Sequence, residues 1–151
     1  MRHKQADSIG VFLTLGGRDF DPEECTRVVG LLPAKVWAQR YEHLRGRVDL
    51  DNVNWSVGFE EKEYDGISDA VDEVLERVWP YRDKLVTYAE QHGLRITVNC
   101  NVRIYAEAPE YSLSASTVQR LAELKAGVLM DIFDYREDGP VDELDGPPAA
   151  Q

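Results

Sequence analysis

Residues 94–105 read Leu-Arg-Ile-Thr-Val-Asn-Cys-Asn-Val-Arg-Ile-Tyr, and apolar and polar side chains alternate along the whole stretch. Such strict alternation predicts a β-strand with one buried face and one face in contact with water. We expect the polar face of this strand to form part of a contact surface. Its candidate binding residues are Arg95, Asn99, Asn101, Arg103 and Tyr105.

Four more segments of the chain have strand character. The predicted strands are residues 8–15, 35–41, 53–60 and 128–135. The second of them carries Trp37 and Arg40, and the third carries Trp55. The polar stretch 42–51, which lies between these two strands, is predicted to be a loop of a hairpin.

The first predicted helix begins at Asp21, in the sequence Asp-Pro-Glu-Glu. An aspartate cap, a proline at the first helical position and a glutamate three residues after the cap are typical of a helix start. Cys25, Val28 and Val29 are expected to face the core, and Gly30 ends the helix.

Residues 67–91 form a long amphipathic pattern that predicts a helix. Pro80 cannot donate a backbone hydrogen bond, so we expect a break near Trp79. A last helix is predicted over residues 114–126, with Ser114 and Ser116 as alternative caps.

These elements predict a single α+β domain over residues 1–135, with an antiparallel or mixed sheet and helices on one face. A strand, a turn and a capped helix occur at residues 11–28 and again at 104–121. This recurrence favours duplicated βα halves, as in ferredoxin-like folds. Residues 136–151 are acidic and rich in glycine and proline, which predicts a disordered tail.

The charge and the cysteines narrow the classes of function. The net charge of −11 disfavours binding to nucleic acid and to anionic membranes, since both need clustered cations. The sequence begins without a signal-peptide pattern and has no apolar run of membrane-spanning length. We therefore expect a cytoplasmic protein in which Cys25 and Cys100 are buried free thiols.

The residue types that carry catalysis or bind metals are scattered. His3, His43 and His92 are far apart in the sequence, and no pair has the spacing of zinc ligands. Neither cysteine belongs to a recognisable nucleophile motif, and no phosphate-binding glycine loop is present. We predict no catalytic residue, no metal and no cofactor.

Asp131 stands among apolar residues of the last predicted strand and shares a face with Leu129 and Phe133. A carboxylate in such surroundings is costly unless it is paired. We expect a structural ion pair with Arg95 or Arg103, and a functional carboxylate is the alternative.

The order of several short motifs resembles a known family. An aspartate-proline helix start leads to Gly30-Leu31-Leu32-Pro33 and then to two tryptophans, and the segments Leu113-Ser114 and Asp131-Ile132-Phe133 follow later. In this order the sequence looks like the bacterial DUF4279 family, a domain of unknown function, over about residues 9–135. The lysine-glycine pair that often follows the first tryptophan of the family is replaced by Ala38-Gln39-Arg40. The resemblance implies an α+β fold, and it transfers no activity because the family has no established catalytic residues.

The sequence favours a noncatalytic domain that binds a protein through the polar sheet face or the 42–51 loop. An immunity-type inhibitor of a basic bacterial toxin is one form of this prediction, because an acidic surface attracts a basic target. A homo-oligomeric structural module is an alternative. So is a small-ligand binder or enzyme with a pocket near Trp37, Arg40, Trp55 and Asp131. A face that only contacts water is the simplest alternative.

Overall fold

A computed structural model describes residues 6–42 and 48–136, and it describes their side chains except those of residues 38–42 and 48–52. Five strands and four α-helices follow one another along the chain. In order they are β1 (Ser8–Gly17), α1 (Pro22–Val29), β2 (Lys35–Glu42), β3 (Val48–Lys62), α2 (Ile67–Val78), α3 (Arg82–His92), β4 (Arg95–Ile104), α4 (Ala115–Glu123) and β5 (Gly127–Asp134).

The strands form one mixed sheet in the order β2-β3-β1-β4-β5. The first four strands are antiparallel to their neighbours, and β5 is parallel to β4. The predicted α+β class with a mixed sheet is therefore confirmed. The first four strands have the split β-α-β order known from ferredoxin-like domains. A duplication of βα halves stays a prediction.

The helices cover one face of the sheet, and the core lies between the two layers. The core receives the odd-numbered residues of β1 from 9 to 15, the odd-numbered residues of β3 from 53 to 59, and the even-numbered residues of β4, as the alternation predicts. Trp55 is fully buried there, and its indole N–H donates to the hydroxyl oxygen of Thr26 on α1 at 2.9 Å. The predicted alternation of residues 94–105 is confirmed.

The helix boundaries follow the capping signals. The Asp21 side chain accepts from the N–H of Glu23, and Ser114, rather than Ser116, caps α4. A short 3-10 turn at Trp79–Tyr81 separates α2 from α3, at the predicted position of the break. The expectation for Val28 is wrong, because this side chain is exposed at the end of α1 while Cys25 and Val29 are buried.

The predicted loop over residues 42–51 is shorter than expected. β2 continues to Glu42 and β3 begins at Val48, because the antiparallel ladder between them extends through these polar residues. Residues 43–47 lie outside the described part of the chain, as do residues 137–151, which hold the predicted tail.

Both cysteines are buried free thiols, as expected. Burial raises the pKa of Cys25 to about 12, and Glu24 adds to this shift. Burial also raises the pKa of Cys100 to about 11. Both thiols therefore stay protonated at neutral pH and behave as small apolar side chains.

Candidate binding surface on the open face of the sheet

The face of the sheet that turns away from the helices, called the open face below, is formed by the alternate residues of each strand. The strand registers place Trp37, Asn54, Gly16 and Arg95 side by side across β2, β3, β1 and β4. The neighbouring row consists of Lys35, Ser56, Thr14 and Thr97. Residues far apart in the sequence therefore meet in two adjacent rows.

Hydrogen bonds between side chains fix the centre of the open face. The Asn99 amide donates to the hydroxyl oxygen of Thr14 at 3.0 Å, and this oxygen lies 2.9 Å from the hydroxyl oxygen of Ser56. The three side chains link β4, β1 and β3. Because each one is held by its neighbour, the polar groups are ordered before any ligand arrives.

A depression of about 570 Å³ lies over these two rows. Its volume is within the range of small-molecule sites in proteins. Lys35 and Arg95 are the charged side chains that line it, and the described lining contains no carboxylate. The lining residues are Thr14, Gly16, Lys35, Trp37, Asn54, Ser56, Arg95, Thr97, Asn99, Gly127, Val128 and Leu129.

Lys35 has two further contacts on this face. Its ammonium group lies 5.0 Å from the centre of the Phe12 ring and forms a salt bridge with Glu60. The hydrogen bond from Lys35 holds the pKa of Glu60 below its usual value. Phe12 is buried although it belongs to the open face.

The edge strand β5 is apolar on both of its sides. Leu129 and Phe133 lie on the open face, beside Asn99 and Arg103 of β4. Val128, Met130 and Ile132 lie on the helix side but remain exposed. The five apolar side chains are between 36% and 52% exposed. Such a combination of apolar groups on an exposed strand is typical of a surface that contacts another molecule.

Aromatic rings continue this apolar surface beyond the end of β5. The rings of Tyr105 and Tyr135 are stacked with their centres 5.0 Å apart, and Phe133 lies 6.4 Å from Tyr135. Tyrosine and phenylalanine are enriched in protein interfaces.

The structure brings together most of the residues that the sequence singled out. Trp37, Arg95 and Asn99 surround the depression. Further along the open face lie Asn101, Arg103 and Asp131, at register positions of β4 and β5. Tyr105 follows the end of β4 and stacks on Tyr135.

Two of the predicted residues do not join this surface. Trp55 belongs to the opposite face and is fully buried, so a pocket cannot contain both tryptophan rings. Arg40 lies in β2, and its side chain is outside the described residues.

The environment of Asp131 differs from the expectation. Arg103 forms its salt bridge with Glu61, and Asp131 forms none among the described residues. The side chain is exposed rather than surrounded by apolar groups, because β5 is an edge strand. It therefore needs no partner in the free protein.

The sequence did not single out Lys35 or the exposure of Leu129 and Phe133. A lysine near a tryptophan in a short strand is a weak signal, and the apolar run of β5 has the composition of a strand buried on both sides. Its position at the edge depends on strand order, which the sequence pattern does not contain.

The described part of the chain also bears on metal binding and on membrane insertion. It contains no group of three histidine, cysteine, aspartate or glutamate residues arranged to hold a metal ion. None of its helices is both long enough and apolar enough to cross a membrane.

A family model with the description "Domain of unknown function (DUF4279)" matches residues 7–135. The chain belongs to the DUF4279 family. The match includes every strand and helix described above, and it therefore includes the whole open face and β5. No curated protein and no solved structure matches the chain.

Proposed function

We propose that the protein is a noncatalytic protein-binding domain that receives an extended segment of a partner protein along the edge of β5. The observation that carries the proposal is the exposure of large apolar side chains on both faces of this edge strand. Addition of a strand to an open sheet edge is a common mode of protein recognition.

The backbone of β5 offers hydrogen-bonding groups to such a segment. The N–H of Tyr135 donates to the carbonyl of Ile104 at 2.8 Å, and the register between β4 and β5 is regular. In a parallel pair, alternate residues direct both backbone groups to the same neighbour. The N–H and C=O groups of Val128, Met130 and Ile132 therefore point away from β4, toward the side of β5 where the described residues form no further strand.

The side chains of β5 support the same proposal. Strands that are apolar on both faces are usually interior strands with neighbours on both edges. Isolated sheets avoid edges of this kind by means of charges, prolines or bulges. A partner segment with apolar side chains would pack beside Val128 and Ile132 on one face and beside Leu129 and Phe133 on the other.

The charges favour a different protein over a second copy of the chain. Each copy carries a net charge of −11, which opposes self-association. Asp131, exposed on β5, would be matched by a lysine or arginine of the partner segment. The narrower prediction of an inhibitor of a basic bacterial toxin agrees with this preference, and it requires that binding weakens as salt is added.

A homo-oligomer is the second candidate, because the same free edge could pair with β5 of another copy in an antiparallel, twofold arrangement. Light scattering at micromolar concentration separates the two proposals. We expect the mass of a monomer, and a dimer mass would favour the second candidate.

A cytoplasmic location belongs to the proposal. The two buried free thiols support it, since reducing compartments keep cysteines in this state.

The test compares two variants that add one lysine at equally exposed aliphatic positions. Ile132→Lys changes the β5 edge, and Val118→Lys changes the surface of α4; the original side chains are 52% and 50% exposed. A lysine on an edge strand blocks the addition of another strand. In capture experiments from cells that express the protein, we expect Ile132→Lys to lose the partner and Val118→Lys to retain it. Equal capture by both variants, or no captured protein, would contradict the proposal.

A further inference from the structure

We propose that the depression between Trp37 and Arg95 is a binding site for a small organic anion that consists of a flat ring joined to one carboxylate or phosphate group. The depression adjoins the first residues of β5, but its test does not depend on a protein partner. Three features of the depression favour such a ligand: the charge of its lining, the side chains at its two ends and the ordered groups between them.

The charge of the lining differs in sign from that of the whole protein. The chain has a net charge of −11, yet the described lining contains Lys35 and Arg95 and no acidic side chain. Glu60 partly neutralises Lys35 from outside the lining. Arg95 is exposed and forms no salt bridge among the described residues, so its guanidinium is available to an anion. Guanidinium groups bind carboxylates and phosphates through two parallel hydrogen bonds.

Trp37 occupies the other end of the same row. The residue is 52% exposed, so part of its surface is accessible to a planar group. Three strand spacings separate Trp37 from Arg95, which corresponds to about 14 Å between their Cα atoms. Both side chains line the depression, so a ligand that spans it would meet the indole ring at one end and the guanidinium at the other.

The groups between the two ends are polar and fixed. The chain of Asn99, Thr14 and Ser56 presents an amide and two hydroxyl groups. Gly16 lets the Asn54 side chain lie across the sheet, because a Cβ atom at residue 16 would stand 2.6 Å from the Asn54 amide oxygen. An ordered polar floor reduces the entropy lost when a ligand binds.

Two probes distinguish the anionic groups. Indole-3-acetate supplies a carboxylate, and uridine 5′-monophosphate supplies a phosphate. Indole-3-acetamide and uridine are their neutral counterparts. Titrations are followed through the side-chain NMR signals of Trp37, Asn54 and Asn99. We expect at least one of the anions to bind with a Kd on the order of 0.1–1 mM, and its neutral counterpart to bind about 10-fold more weakly.

Variants locate the binding. We expect Arg95→Gln to raise the Kd of the anion about 10- to 100-fold. Arg27→Gln, on the exposed surface of α1, should leave the Kd unchanged. A side chain added at Gly127 meets open space within the depression. We therefore expect Gly127→Leu to obstruct the ligand and Gly127→Ala to have little effect, with both proteins folded.

The outcomes are decisive in both directions. Binding of one anion that is lost in Arg95→Gln and Gly127→Leu supports the site and identifies the anionic group. Absence of shifts with both anions at about 5 mM overturns the proposal. Binding that is equal in Arg95→Gln and Arg27→Gln also overturns it. Loss of the partner protein in Ile132→Lys, with unchanged binding of the anion, shows that the two proposals stand separately.

Discussion

The hydroxyl group of Thr26 is the hydrogen-bond partner of a buried polar group, the indole N–H of Trp55. Its hydroxyl oxygen accepts the hydrogen bond of the Trp55 indole at 2.9 Å and donates to the carbonyl of Pro22 at 3.0 Å. Thr26→Val keeps the shape and leaves the buried indole N–H unpaired, which should lower the free energy of unfolding by about 1–3 kcal/mol. Thr26→Ser keeps the hydroxyl and is the control in chemical denaturation. Equal losses in both variants would show that packing, not the hydrogen bond, matters here.

Asp7 joins the start of β1 to the end of β4. Its carboxylate accepts from the backbone N–H groups of Tyr105, Ala106 and Glu107 at 2.6, 2.9 and 3.0 Å. Partial burial would raise the pKa of Asp7, but these donors and Arg136 outweigh it and hold the pKa below 3.8. The carboxylate therefore stabilises the fold at neutral pH, and this stabilisation is lost as the pH falls through the lowered pKa.

Denaturation at two pH values tests the role of Asp7. At pH 7, we expect Asp7→Asn to lower the free energy of unfolding by about 1–2 kcal/mol relative to the unchanged protein. At low pH the difference should shrink, because the carboxyl group of the unchanged protein takes up a proton as the pH falls through its lowered pKa. A difference that is the same at both pH values would exclude the charged hydrogen bonds as its cause.

At the scale of elements, the pairing of β1 with β3 depends on glycine. Gly58 has a φ of 156°, and a Cβ atom there would lie 1.9 Å from the carbonyl oxygen of Val11. We expect Gly58→Ala to destabilise the protein by about 3 kcal/mol, through strain and displacement of β1. Gly127→Ala, where the added group meets open space, should change the unfolding free energy by less than about 1 kcal/mol. Similar unfolding free energies for the two variants would contradict this account of the ladder.

The elements that the sequence predicted are those with local signals. The alternation of β4, the cap at Asp21 and the break at Trp79 each depend on neighbouring residues. The extent of β2 and β3 was underestimated, because polar residues near the turn are held in the strands by pairing across the hairpin. A local pattern does not contain this pairing.

At the scale of the whole molecule, the open face could be predicted only in part. The polar residues of β4 were found because alternation fixes their side, but the depression also needs Trp37 and Lys35 from β2, which reach it through the strand order. The partner of Arg103 is Glu61, 42 residues away in the sequence. Contacts between residues that are far apart in the sequence decide which charged side chains are paired and which are available to a ligand.

The proposed function requires that β5 is an edge strand and that a segment of the partner pairs with it. Amide hydrogen exchange, resolved by residue, tests this most directly in the free protein and in its complex with the captured partner. We predict that the amides of Val128, Met130 and Ile132 exchange quickly in the free protein and become protected in the complex, while those of Leu129, Asp131 and Phe133 are protected in both. Protection that appears on the helices and leaves the β5 amides unchanged would contradict the account.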